Sequence, residues 1–141
     1  MTIHLLEDDA GVNEALSMLL THFKFDVVRH GSAESLIGAK PPDGNDIVFV
    51  DLNLPGASGA DAIRWLQSLR HPPFIVVISG QSQAVIQSEL ASVEVAAVLR
   101  KPLDQEVILG ELYRIGSNMQ RRAMERLERA RHPMSRDGLM P

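Results

Sequence analysis

Ile47-Val48-Phe49-Val50-Asp51-Leu52-Asn53-Leu54-Pro55-Gly56 is the stretch on which the fold turns. Four apolar residues run unbroken into an aspartate, and a segment with proline and glycine follows at once. A short apolar run bounded by turn residues reads as a strand buried on both faces. The strand is expected over Asp46 to Val50, with a loop over Leu52 to Ser58.

The same grammar recurs three times. Glu7-Asp8-Asp9 follows Ile3-His4-Leu5-Leu6, Ser79 follows Phe74-Ile75-Val76-Val77-Ile78, and Lys101-Pro102 follows Val95-Ala96-Ala97-Val98-Leu99. Parallel strands of one sheet share a C-terminal edge where sites form. Such an edge would bring together carboxylates, a hydroxyl and an ammonium, a set suited to holding a divalent metal and taking a phosphoryl group onto one carboxylate.

Between these runs the apolar spacing turns helical. Strands are expected over Thr2 to Leu6, Phe25 to Arg29, Asp46 to Val50, Phe74 to Ile78 and Val95 to Leu99. The first helix opens at Asp9 or Gly11 and turns Val12, Ala15, Leu16, Leu19 and Leu20 toward the sheet. Ser32 caps a short second helix, and Lys40 to Asn45 is a loop. Gly59 starts a third helix with Ala62, Ile63, Leu66 and Leu69 on one face, ended by His71-Pro72-Pro73. Ser82 caps a fourth, with Val85, Ile86 and Leu90 inward. Asp104 caps a long last helix with Val107, Ile108, Leu112, Ile115 and Met119 as its stripe. Five strands alternating with five helices predict an α/β, doubly wound parallel sheet covered on both faces.

The chain has 141 residues, 45% of them apolar, enough for one domain with a real core. No apolar run is long enough to span a bilayer and no leader precedes the first strand, so no membrane partner is expected. There is no cysteine, which excludes disulfides and thiolate metal sites and fits a cytoplasmic protein. The net charge of −4 is unevenly spread. Through Ile115 there are 8 basic and 15 acidic residues; from Gly116 on there are 6 basic and 3 acidic. An acidic body is a poor nucleic-acid binder. No G-x-G-x-x-G follows the first strand and no G-K-[ST] occurs, so a dinucleotide or P-loop site is not supported.

Taken together, Leu5-Leu6-Glu7-Asp8-Asp9, Phe49 to Gly56, Val77-Ile78-Ser79-Gly80 and Lys101-Pro102 make residues 1–115 resemble the receiver domain of bacterial two-component response regulators. The resemblance implies a flavodoxin-like sheet of order 2-1-3-4-5. It implies that Asp51 accepts a phosphoryl group in the presence of Mg2+. Asp8 and Asp51 would ligate the metal through side chains, Asn53 through its backbone carbonyl and Glu7 through a water. Lys101 would pair with Asp51 and later with a phosphate oxygen, with a cis peptide before Pro102. Ser79, with Gly80 after it, would move toward the new oxygen. Asn53 and Gln81 would tune phosphate lifetime. Asp9 reads as a helix cap rather than a ligand. Many receivers carry an aromatic residue three positions before the lysine. Here that residue is Val98, which puts the usual readout in question.

The implied function is a phosphoacceptor switch of a phosphorelay rather than an enzyme. Its partners would be a sensor histidine kinase or a histidine phosphotransfer protein, and a downstream protein. Two other readings stand beside it. One is an unphosphorylated interaction module. The other is a haloacid-dehalogenase-like phosphohydrolase, against which Asn53 and the place of Asp51 after the third strand both count. Residues 116–141 form a basic extension with a disordered end expected after Pro133 and a helix stop or kink at Gly116. Its helix is open to three readings: a solvated helix, a homodimer seam or partner-docking helix, and nucleic-acid contact, which the interspersed Glu125 and Glu128 and the lack of aromatics disfavour.

Overall fold

The computed structural model describes residues 1–54 and 58–131. Pro55 and Gly56, and the expected helix end at Pro133 with its disordered tail, lie outside the described residues. Among the described residues five strands alternate with five helices. The strands are β1 (Thr2–Leu6), β2 (Asp26–His30), β3 (Ile47–Asp51), β4 (Phe74–Ser79) and β5 (Ala97–Arg100). The helices are α1 (Ala10–His22), α2 (Ala33–Gly38), α3 (Gly59–Gln67), α4 (Gln83–Glu89) and α5 (Gln105–Arg131). The sheet is parallel with order β2-β1-β3-β4-β5, as expected.

Side-chain alternation divides the central strands between two faces. Leu6, Val48, Val50, Ile75 and Val77 join Leu36 of α2, Ile63 and Leu66 of α3, and Ile86 of α4 in one cluster. α1, with buried Leu16 and Leu20, is not part of that cluster, as the usual right-handed crossover predicts for a helix on the other face. The strand starts are tied by a buried polar knot. Asp46 accepts from the Thr2 and Asp43 amides, both at 2.9 Å, and meets Nε2 of His4 at 3.1 Å. Burial raises the Asp46 carboxyl, but these partners outweigh it and hold the group below its ordinary value.

Several expected boundaries shift for local reasons. β2 begins at Asp26, because Phe25 closes α1. Lys24 adopts a left-handed φ of 71°, its amide donates to Thr21 O, and the Phe25 amide donates to Leu20 O. β3 begins at Ile47 because Asp46 serves the knot, and it extends to Asp51, which pairs with Ile78. β4 runs on to Ser79, which pairs with Arg100. β5 is shorter than expected and starts at Ala97. α3 stops at Gln67, well before the prolines. The Ser68 amide donates to Arg64 O and Trp65 O, and its hydroxyl donates to Trp65 O, so the last carbonyls are satisfied early.

Ala15, Val85 and Val107 are exposed rather than inward. Short α4 turns Ile86 into the core and leaves Val85 one step around. In α5, Ile108, Leu112 and Ile115 are buried at a 4-3 spacing that misses Val107. Gly116 does not stop α5, which continues to Arg131. One glycine costs about 1 kcal/mol against alanine, and the following Met, Arg, Ala, Glu and Leu are among the residues that cost a helix least. The chain divides into two compact units, Met1–Ile108 and Leu109–Pro141. In the second, every residue from Gln120 to Arg131 is exposed.

Gly59, the first residue of α3, has no room for a side chain. A Cβ there would lie 2.5 Å from Asp51 O and from Leu52 Cα, both backbone atoms that cannot swing aside. Gly59→Ala is expected to destabilise the fold by about 1–3 kcal/mol despite the better helix preference of alanine. Urea unfolding measures this, and an unchanged midpoint would contradict it.

Candidate functional site

The site is assembled by four strand ends. Glu7 and Asp8 leave β1, Asp51 ends β3, Ser79 ends β4, and Lys101 follows β5. Neighbouring register carries them to one edge: Leu6 pairs with Val50, Asp51 with Ile78, and Ser79 with Arg100. The Leu52 amide donates to Ile78 O and the Lys101 amide donates to Ser79 O, which continues the ladder past the strands.

Two carboxylates at this edge are deeply buried, Glu7 at 3% and Asp51 at 2% exposure. Lys101 lies between them, its Nζ 2.8 Å from Glu7 Oε1 and 3.1 Å from Asp51 Oδ2. The second bond is aligned for hydrogen bonding; the first is an ion-pair contact without that alignment. The Asn53 amide donates to Asp51 Oδ1 at 2.9 Å. The Lys101-Pro102 peptide is cis. Gly80 lies against the Lys101 side chain, where a Cβ would make ordinary contact at 3.8 Å.

One ammonium cannot neutralise two carboxylates. Burial pushes the Glu7 carboxyl up to about 7, and the neighbouring Asp51 carboxylate adds to the rise. With both groups ionised, Glu7 and Asp51 are acceptors only; a proton on Glu7 supplies the missing donor. Burial also raises Asp51, but neighbouring Glu7 and the hydrogen bonds from the Asn53 amide and Lys101 outweigh it, and its carboxyl falls below the ordinary value. For Lys101, burial works against the charge, and the two carboxylates more than compensate, raising its value.

Exposed Asp8 completes a donor set. Glu7, Asp8 and Asp51 each offer a carboxylate oxygen, and these oxygens lie within 4.8 Å of one another. Surplus negative charge and hard oxygen donors fit a small divalent cation. Asp9 caps α1, its Oδ1 accepting from the Val12 amide at 3.1 Å, and is not in that set. Ser79 is fully buried. Its hydroxyl donates to Gln81 Oε1 at 3.3 Å and accepts from the Gln81 amide at 3.0 Å. Val98 lies on edge strand β5 with 40% exposure.

Reading the sequence missed Asn13. Its Nδ2 donates to Glu7 O at 2.9 Å and to His30 O at 3.2 Å, and Arg29 Nε donates to its Oδ1 at 2.7 Å. With the Glu7 amide donating to His30 O, this clamp fixes the chain just before Asp8. The available signal was an asparagine beside Val12, on the face of α1 that otherwise repeats apolar residues.

A family model for the response regulator receiver domain matches residues 3–113. The chain belongs to that family. The transcriptional regulatory protein FixJ of Rhizobium meliloti (strain 1021) is 27% identical over 118 residues, 84% of this chain and 58% of the relative. The receiver chain spans about half the length of the curated relatives it matches. Among solved structures, a sensor protein from Polaromonas sp. JS666 is 30% identical with a TM-score of 0.72, covering 84% of this chain and 97% of that one. A CheY-like receiver domain protein from Methanospirillum hungatei JF-1, 14% identical, matches in fold with a TM-score of 0.76 over 85% of this chain and 97% of its own. No helix among the described residues is long and apolar enough to cross a membrane.

Two outcomes follow from the site's electrostatics and its clamp. An unfolded glutamate loses its proton near 4.5, whereas Glu7 in the folded receiver keeps it to about 7. Between those values the native state binds the extra proton, so Glu7 lowers stability as pH rises through this window. Thermal melts in chelator should show the decline in the wild type relative to Glu7→Gln. Magnesium should reduce it, with apparent affinity rising toward pH 7 and above. A difference flat in pH would contradict the shift. Asn13→Ala leaves Glu7 O and the Arg29 guanidinium short of partners, and is expected to cost about 1–3 kcal/mol and to weaken magnesium binding. An unchanged magnesium titration would show that the clamp does not position the acidic loop.

Proposed function

We propose that residues 1–115 act as a phosphoacceptor switch in a two-component phosphorelay, with Asp51 receiving the phosphoryl group from a phosphohistidine on a sensor kinase or phosphotransfer protein. The observation that carries this reading is the Lys101 ammonium held at 2.8 and 3.1 Å from two buried carboxylates. A lysine so placed restrains Asp51 before transfer and faces a phosphoryl oxygen after it.

Asp51 is the nucleophile. One of its oxygens forms the new O–P bond as the N–P bond of the donor breaks. The imidazole nitrogen keeps that electron pair and takes up a proton. The Asn53 amide and Lys101 orient the carboxylate for in-line attack. The Ser79 hydroxyl, once turned from Gln81, would donate to a phosphoryl oxygen beside Lys101. Asp8 and Asp51 would hold Mg2+ by their side chains, Asn53 by its backbone carbonyl and Glu7 through a water. The bound ion would supply neutralisation of the charge on the transferring oxygens.

Asn53 and Gln81, flanking the acceptor, would govern how water reaches the acyl phosphate. The molecule would act as a switch rather than a turnover catalyst, in the cytoplasm where such kinases present their phosphohistidine. The helical part of the basic extension, Gly116 to Arg131, would serve a downstream partner or a second copy, a reading supported by the unbroken α5 and its exposed Leu127 and Met124.

Asp51→Asn keeps the shape of the acceptor and removes its nucleophilic oxygen. It should reduce magnesium-dependent labelling by a small acyl phosphate donor to background. Labelling that persists at the wild-type level would overturn the assignment.

A further inference from the structure

The Ser79 hydroxyl has one proton, and it is already engaged. Oγ donates to Gln81 Oε1 and accepts from the Gln81 amide, so side chain and backbone of the same residue hold it at both ends. Ser79 is wholly buried, while Gln81, which holds it, is half-buried. The three residues from Gln81 onward are each tied. Gln81 holds Ser79. Ser82 caps α4, accepting from the Val85 amide at 3.3 Å through its side chain and from the Ile86 amide at 3.0 Å through its carbonyl. Gln83 Oε1 accepts from Nη1 of Arg100, the residue paired with Ser79 across β4 and β5.

We propose that Gln81 is a positioning residue that latches the Ser79 hydroxyl, so that a phosphoryl oxygen on Asp51 must compete with Gln81 Oε1 for the same proton, and that its release frees the N-terminus of α4. The proposal rests on the phosphoacceptor reading of Asp51. A donor hydrogen has one strong acceptor at a time. Turning Ser79 toward the acceptor breaks both bonds to Gln81 together. The residue set loose is the one before the cap of α4, so the change reaches that helix without a large side chain having to move.

The test uses the full chain with beryllium fluoride and magnesium as the probe, followed by calorimetry. Gln81→Met keeps side-chain length and removes the acceptor. It should tighten the probe about two- to tenfold, the range of one neutral hydrogen bond, and should do nothing in a Ser79→Ala background. In the wild type, the probe should also speed amide exchange at Gln81 and Val85. Unchanged or weaker binding by Gln81→Met, or equal tightening with and without the hydroxyl, would overturn the latch. Should Ser79→Ala bind too weakly to measure, the exchange at Gln81 decides, and continued protection overturns the proposal. A wild type that does not bind the probe at all fails differently, because it removes the phosphoacceptor reading itself.

Discussion

Two carboxylates share one ammonium inside the protein, and much of the architecture serves that imbalance. At a separation near 4 Å and an effective dielectric of about 20, two like charges repel by about 4 kcal/mol. Their burial adds a further penalty on each. Burial first, and the neighbouring Asp51 carboxylate second, push the Glu7 carboxyl up to about 7 against the pull of Lys101, while the partners of Asp51 hold its carboxyl low. The pair is therefore asymmetric before any ligand arrives. One carboxyl is held ionised, and the other keeps its proton to about 7.

Keeping such a pair in place requires backbone that cannot relax away from it. The parallel sheet brings Asp51 beside β1 and β4 by register, and α3 begins so close that Gly59 touches the Asp51 carbonyl region. On the β1 side, Asn13 bonds two carbonyls and Arg29 bonds Asn13 in turn. At the far end of the same strands, Asp46 joins the start of β1 to the start of β3. The strands are pinned at both ends, so thermal motion that would separate the charges must break buried hydrogen bonds first.

The architecture was legible where burial dictates composition. Runs such as Phe74 to Ile78 have no polar residue to misread, and the order of acidic, hydroxyl and lysine strand ends was enough to anticipate the edge. The failures lie where a side chain serves something other than its own element. Asp46 looked like a strand residue and is a loop acceptor. Phe25 looked like strand and closes a helix, because Lys24 takes a left-handed turn that its residue type does not advertise. Asn13 broke the apolar face of α1, but its partners, two carbonyls and the Arg29 guanidinium, come together only after folding. The exposure of Val85 and Val107 shows that helical spacing gives the period of a stripe more reliably than its width.

Val98 sharpens the question of how a change at Asp51 leaves the site. On β5, an edge strand, it is already 40% exposed, and a β-branched side chain has one stiff torsion and little area to redistribute. Moving it changes little that a partner can recognise. The neighbouring connections are mechanically richer. The Ser79 carbonyl holds the Lys101 amide, while its hydroxyl holds Gln81, one residue from the cap of α4. A single buried serine thus joins the lysine loop, the end of β4 and the start of a short helix. α4 has only seven residues and buries chiefly Ile86, so little apolar area resists its displacement. In this receiver a short, lightly buried helix follows the strand that ends at the buried charge cluster, and the connection between them runs through backbone and hydroxyl hydrogen bonds rather than through an aromatic ring.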